Sequence, residues 1–324
     1  MKKIAVFTSG GDAPGMNACL RAVVRTAIHY GIEVVGIQRG YQGMIEGDFL
    51  PLQSNSVSGI IHLGGTILRS ARSEEFRTPE GRQAAYAQLQ KAGIDKLVVI
   101  GGDGSFRGAL TFMAEYPDIC FVGCPGTIDN DLYGTDYTIG YDTAINTAMN
   151  AIDNIKDTAN AHDRLFFVEV MGRDAGFIAL STGIATGAEA ILIPETKMSI
   201  DNLVKVLEKN YHRKKTSSIV VVAEGDEEGG AFKVAEEVKK RFSGHWEIKV
   251  TILGHIQRGG RPTCLERVRA SRMGMAAVKA LLEGQNAVMI GEVNRQIVHT
   301  PFEKATKHHM DINPMLLEMV EVLS

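Results

Sequence analysis

KLVVIGGDGSFRGAL, residues 96–110, reads as a strand that runs into a glycine-rich turn and then into a helix. A short, continuous apolar run closed by glycine is the pattern of a strand buried on both faces. The same grammar recurs along the chain in IAVFT (4–8), EVVGIQ (33–38), ICFVGC (119–124), LFFVEVMG (165–172), AILIPE (190–195), SIVVVAEG (218–225) and IKVTILG (248–254). Helical spacing fills the gaps. In 16–29, Leu20, Val23, Val24, Ala27 and Ile28 share one face, and 139–158, 200–209, 234–242 and 266–282 behave alike. Such alternation predicts an α/β fold of Rossmann-like, three-layer α/β/α construction with mostly parallel sheets. Sheets of this kind take ligands beyond the carboxyl ends of their strands, so chemistry is sought just after each strand.

Two glycine turns sit there. TSGGDAPGMN (8–17) follows the first strand, and GGDGS (101–105) follows the strand at 96–100, a weak internal echo. Adjacent glycines let backbone N–H groups approach an oxyanion, and the helix that follows adds favourable potential. The second turn contains G-x-G-x3-G, the spacing of a dinucleotide fold. That reading needs an acid or arginine at the end of the next strand, where Gly123-Cys124-Pro125-Gly126 supplies neither. A nucleoside triphosphate fits better, with Asp103 as a Mg2+ ligand or simply a helix cap. No G-x4-GK[ST] sequence occurs.

PGTIDND (125–131) places Thr127, Asp129 and Asp131 at alternate positions, which on extended chain point the same way. A hydroxyl and two carboxylates suit deprotonation of an attacking alcohol; an Asx-turn cluster explains the composition equally well. Arg72, Arg164, Arg173 and Arg258 recur beside turns or strand ends, where guanidinium forks match phosphate oxygens. Glu224 closes a strand and is placed to accept hydrogen bonds from a sugar. Arg21 and Arg25 lie one turn apart on the first helix, as an exposed polar face also requires.

Composition narrows the field. The 324 residues are 44% hydrophobic and 23% charged, enough for a sizeable core in about two domains. Thirty-five basic against thirty-eight acidic side chains leave −3, so there is no long-range basic field for nucleic acid or an anionic membrane. No apolar run approaches a membrane span, and Ile4–Phe7 is too short for a signal peptide. Four scattered cysteines lack zinc spacing, and the chain reads as cytoplasmic.

Taken together, GGDAPGMN, RGYQG (39–43), SAR (70–72), GGDGS, PGTIDND, VEVMGRDAG (168–176), GAEAILIPE (187–195) and GHIQRGG (254–260) resemble the bacterial ATP-dependent 6-phosphofructokinases. The resemblance implies transfer of the γ-phosphoryl of MgATP to the 1-hydroxyl of fructose 6-phosphate. It implies Asp129 as base, with Thr127, Arg72 and Arg173 neutralising the moving phosphoryl. Gly11, Tyr41, Arg72, Ser73, Gly102, Asp103, Gly104, Ser105 and Gly108 would line the ATP site, with Asp103 on Mg2+. Met171 and Glu224 would face the sugar beside Thr127, Asp129 and Arg173. His255 and Arg258 would hold the 6-phosphate, joined by Arg164 and Lys249 from a neighbouring subunit, so a homotetramer is implied. An effector site for ADP or phosphoenolpyruvate would draw on Arg21, Arg25, Lys156, Gly187, Glu189, Arg213 and Lys215.

Departures from the family pattern carry their own expectations. Pyrophosphate users in this superfamily carry GGDD and PKTIDND; Gly104 and Gly126 stand at those places here, implying space kept for a nucleotide. Lys249 replaces an arginine and so loses bidentate geometry. Ser73 replaces a residue that is often larger. Ser54, Gly59 and Ser217 stand where arginine, aspartate and histidine are usual, which implies muted allostery. The expected division is a larger ATP-binding domain of 1–140 plus 258–307 and a smaller sugar-phosphate domain of 141–257 plus 308–324, with catalysis in the cleft. The rivals are a lipid or NAD kinase, which shares GGDG, and a nucleotide sensor without catalysis.

Overall fold

The computed structural model describes residues 2–161, 164–196, 198–213, 218–306 and 312–323. These divide into two compact units. One holds residues 1–128, 132–143 and 258–308; the other holds 129–131, 144–257 and 309–324. Residues 129–131, expected in the larger domain, group with the second unit.

The first unit is built on an eight-stranded sheet. Its strands are β1 (Lys3–Thr8), β2 (Glu33–Ile37), β3 (Phe49–Leu52), β4 (Lys96–Gly101), β5 (Cys120–Thr127), β6 (Ile139–Gly140), β11 (Val288–Val293) and β12 (Gln296–Pro301). The order is β12-β11-β5-β4-β1-β2-β3, with β6 beside the end of β5. Only the outermost pairs, β2–β3 and β11–β12, are antiparallel. Its helices are α1 (Met16–His29), α2 (Tyr41–Glu46), α3 (Pro79–Ala92), α4 (Asp103–Glu115) and α9 (Cys264–Leu282). Alternate residues of the central strands feed opposite cores. Ala5, Phe7, Leu97, Val99 and Phe121 join Tyr41, Phe106, Phe112 and Phe302 on one side, while Ile4, Val6, Val98, Ile100 and Val122 are equally buried on the other. This two-sided burial explains why the strands read as unbroken apolar runs.

The second unit has four parallel strands, β7 (Arg164–Val170), β8 (Ala190–Leu192), β9 (Ser218–Ala223) and β10 (Glu247–Ile252), in the order β10-β7-β9-β8. Its helices are α5 (Tyr141–Asn160), whose first turn belongs to the first unit, α6 (Phe177–Thr186), α7 (Ile200–His212), α8 (Ala231–Arg241) and α10 (Pro314–Leu323). Leu165, Phe167, Val220 and Val222 pack with Leu203, Leu207, Val234, Val238 and Trp246. Each unit is therefore an α/β layer structure with a mostly parallel sheet. Among the described residues no helix is long and apolar enough to cross a membrane.

One buried acid ties the first glycine turn to α9. Thr263 caps α9 by accepting from the Glu266 N–H at 3.1 Å, and Glu266 accepts in turn from the Thr143 N–H at 3.3 Å. A Cβ on Gly15, the residue before α1 at φ 108°, would lie 2.9 Å from the Glu266 Cγ. Burial pushes the Glu266 carboxyl up from 4.5 to about 7. Its folded pKa lies above the unfolded one, so stability from the protonated acid is full below pH 4.5 and is lost as pH rises through 7. Between pH 4 and pH 8 the wild type is expected to lose on the order of 3 kcal/mol relative to Glu266→Gln. Denaturant melts of both proteins at the two pH values check this; parallel pH profiles would contradict it.

Candidate active site

In the first unit the two glycine turns are neighbours. Gly101 ends β4, and a Cβ there would meet the Ser105 Oγ at 2.5 Å and the Ser9 carbonyl at 2.7 Å. The Ser9 N–H donates to the Ile100 carbonyl at 3.0 Å, joining the turn after β1 to the end of β4. Gly102 precedes α4 in an extended conformation, and Asp103 opens that helix with Arg107 Nε 2.9 Å from its carboxylate. At Gly104 nothing lies within 4 Å of a built Cβ, so the chain leaves that position open. At Gly126 the crowding is with the protein itself: Met16 Cε at 2.8 Å and the Gly101 nitrogen at 3.1 Å. The space expected for a ligand at 126 is thus filled by side chain and backbone of the same unit.

Tyr41 serves the turn from below. Its ring stacks on Phe76 with centroids 4.0 Å apart and lies against Gly108, where a Cβ would come 3.2 Å from the ring. Its hydroxyl donates to the Ser105 carbonyl at 2.6 Å, and burial pushes the phenol pKa up. With 7% of its surface exposed, Tyr41 supports the glycine turn at 101–105 more than it lines any space above it. Ser73 accepts from the Phe76 N–H at 3.1 Å and donates to Gln42 Oε1 at 2.7 Å. Arg72 is exposed and makes no hydrogen bond or ion pair among the described residues. Arg258 lies over the first turn: a Cβ on Gly11 would be 1.8 Å from its Nη2, and that nitrogen is 3.2 Å from Asp12 Oδ1.

The alternation expected through PGTIDND breaks. β5 runs on through Pro125 and Gly126 to Thr127, whose carbonyl accepts from the Thr138 hydroxyl at 2.7 Å. Asn130 then takes a left-handed conformation at φ 55°, so Thr127, Asp129 and Asp131 do not share one face of a strand. Asparagine tolerates that region because its short amide makes local hydrogen bonds, which spacing alone does not reveal.

In the second unit Asp129, with a side chain 10% exposed, faces Arg173, whose Nε is 3.6 Å from Oδ2. Arg173 sits in the loop after β7 at φ 52°. Two acceptors hold that loop. Glu224 Oε1 accepts from the Arg173 N–H at 2.7 Å, and Gln257 Oε1 accepts from the Met171 N–H at 3.0 Å. Glu224, expected at the sugar, therefore already spends one oxygen on backbone. Gln257 is fully buried with no partner for its Nε2 among the described residues. It lies inside the quoted GHIQRGG, yet charge-based reading passed over it. His255 is exposed on the 3-10 turn Gly254–Arg258. Arg164 and Lys249 meet at Glu247, which bonds to Arg164 Nε at 2.8 Å and Lys249 Nζ at 2.5 Å. Both cations, Lys249 first, hold that carboxyl below its ordinary range.

The expected effector residues are spread over both units. Arg21 and Arg25 project from α1. Lys156 donates to the Thr186 carbonyl at the end of α6, beside Gly187 at φ 60°. Glu189 is buried and accepts from the Ile219 N–H at 2.7 Å, which turns one of its oxygens inward. Arg213 closes α7, while Lys215 and Ser217 lie outside the described residues. Among the described residues no three His, Cys, Asp or Glu side chains gather as a metal cluster. A lone carboxylate such as Asp103 fits a hard cation that arrives on phosphate oxygens, and does not fit a resident structural metal.

Comparison with known proteins places the chain by family and by fold. The phosphofructokinase family model matches residues 3–281. ATP-dependent 6-phosphofructokinase 1 of Thermus thermophilus is 57% identical over 324 residues, covering 100% of both chains. ATP-dependent 6-phosphofructokinase 2 of Bacteroides thetaiotaomicron is 54% identical, covering 100% of this chain and 99% of its own. Among solved structures, phosphofructokinase from Saccharomyces cerevisiae superposes with a TM-score of 0.88 at 38% identity, covering 99% of this chain and 45% of that longer one. The pyrophosphate-dependent phosphofructokinase from Marinobacter aquaeolei, at 23% identity, shares the fold with a TM-score of 0.84, covering 100% of this chain and 93% of that one.

Proposed function

Because the chain belongs to the phosphofructokinase family, we infer that it transfers the γ-phosphoryl of ATP to the 1-hydroxyl of fructose 6-phosphate, giving fructose 1,6-bisphosphate and ADP in glycolysis. The observation that carries this is full-length, 57% identity with a relative named for ATP-dependent 6-phosphofructokinase activity.

Asp129 takes the proton from the sugar's 1-hydroxyl, making it a better nucleophile as it attacks. Arg173, whose terminal nitrogens are unbonded among the described residues, offers them to the phosphoryl oxygens together with Arg72 and Thr127. Phosphoryl transfer needs little beyond alignment and neutralised oxygens, which these arginines and the threonine supply. The Gly11 and Gly102–Ser105 turns receive the nucleotide, with Gly108 and Tyr41 behind them and Ser73 to one side. Asp103 would hold Mg2+ among the phosphates, and that ion supplies neutralisation of charge on the γ-phosphoryl and the ADP leaving group. Met171 and Glu224 face the sugar, and His255 and Arg258 bind its 6-phosphate. Arg164 and Lys249 reach a neighbouring subunit's 6-phosphate, so the enzyme acts as a cytoplasmic homotetramer. ADP or phosphoenolpyruvate acts only weakly at the effector residues, since Ser54 and Gly59 bring no charge there.

A coupled assay crossing ATP and pyrophosphate with fructose 6-phosphate and two other hexose phosphates tests the reading. Turnover is expected with ATP and fructose 6-phosphate; turnover with pyrophosphate and none with ATP would overturn it. The open space at Gly104 sharpens the test. Gly104→Asp is expected to melt within about 2 °C of the wild type, as for other substitutions that meet no neighbour. It should raise KM for ATP at least about tenfold, because a carboxylate then faces phosphate.

A further inference from the structure

Glu247 and Lys249 stand two residues apart on the edge strand β10 and so project to one face of the sheet. Glu247 pairs in register with Arg164, the first residue of β7, which brings all three charged side chains together. One carboxylate bridges both cations, an oxygen to each, at 2.8 Å to Arg164 Nε and 2.5 Å to Lys249 Nζ. The contact leaves Arg164's terminal fork unbonded among the described residues, and an ammonium has three donors of which one is used. The cluster remains open to solvent, with side-chain exposures of 24% for Arg164, 52% for Glu247 and 43% for Lys249. It is thus an anion seat with donors to spare and an anion already on it.

Resting on the reading of Arg164 and Lys249 as 6-phosphate ligands, we propose that Glu247 is a resident anion that sets the affinity of this seat for the sugar phosphate. A phosphate dianion arriving there meets a net charge of +1 instead of +2, from Arg164, Lys249 and Glu247 together. Glu247 weakens binding and keeps the two cations from capturing other anions. Lysine at 249 strengthens this hold, since a compact ammonium can turn fully to the carboxylate where a guanidinium fork would keep a second edge for phosphate.

The test is steady-state kinetics of the full-length enzyme carrying Glu247→Gln, with Glu247→Thr as a second, strand-compatible version and Arg164→Ala as control. Glu247→Gln should lower KM for fructose 6-phosphate about threefold to fivefold, the scale of an exposed ion pair, with KM for ATP unmoved. Its KM should also rise more steeply with added salt, because one more unscreened positive charge faces the phosphate. An unchanged or raised KM for fructose 6-phosphate in the glutamate variants, with Arg164→Ala raising it, overturns the proposal alone: Glu247 then only holds the cations in place. If Arg164→Ala leaves that KM untouched, the assignment of Arg164 to phosphate fails and the proposal falls with it.

Discussion

Asp129→Ser is expected to lower kcat by about 10²–10⁴-fold, the range contributed by a positioned general base. The serine hydroxyl cannot accept the sugar's proton at neutral pH, and it leaves Arg173 without the carboxylate 3.6 Å from its Nε. Nucleotide binding should survive nearly intact, because the glycine turns at 9–11 and 101–105 belong to the first unit whereas Asp129 groups with the second. Titration calorimetry with ATP, set beside the coupled assay, separates the two effects. A variant that retains wild-type kcat removes Asp129 from the reaction. A wild type that binds ATP but releases no ADP with fructose 6-phosphate identifies a sensor.

Gly225→Ala should be nearly as damaging by a different route. A Cβ at 225 would stand 1.9 Å from the Arg173 carbonyl oxygen and 3.2 Å from the Asp174 Cα, both backbone atoms that cannot swing away. The loop that must move carries Arg173, already held at φ 52°, a region that strains any residue with a side chain. What holds it there is the neighbouring Glu224, through its 2.7 Å bond to the Arg173 N–H. Overpacking of this kind costs about 1–3 kcal/mol. A displacement near 1 Å at a group aligned for reaction costs about 10²-fold in rate. Denaturant melts and kcat measured on the same preparation check both numbers. Normal turnover with a lowered melting point would show that the loop relaxes without moving the guanidinium.

The central strands were legible because burial on both faces leaves no alternation to misread: 4–8, 33–38, 96–102 and 218–225 each coincide with a parallel strand to within two residues. The edges were not. β3 is FLPL with a proline at 51, tolerable only where a strand lacks a second partner, and β12 lies at the opposite rim. ICFVGC stopped three residues early because Pro125 and Gly126 look like a turn. In the structure Pro125 pairs with Gly101, and Gly126 and Thr127 pair with β6.

Sequence by itself determined the α/β class, the two glycine turns at strand ends and the residue types available for phosphoryl transfer, since each depends on local spacing and on what small or charged side chains permit. Only tertiary structure decided which of those groups are already engaged. Glu224 is bound to backbone, Glu247 to two cations, Arg258 to Asp12, and Gln257 and Glu266 are sealed from water. The physical reason is that partnership and desolvation are properties of which distant segments meet, and no period along a single chain encodes that meeting.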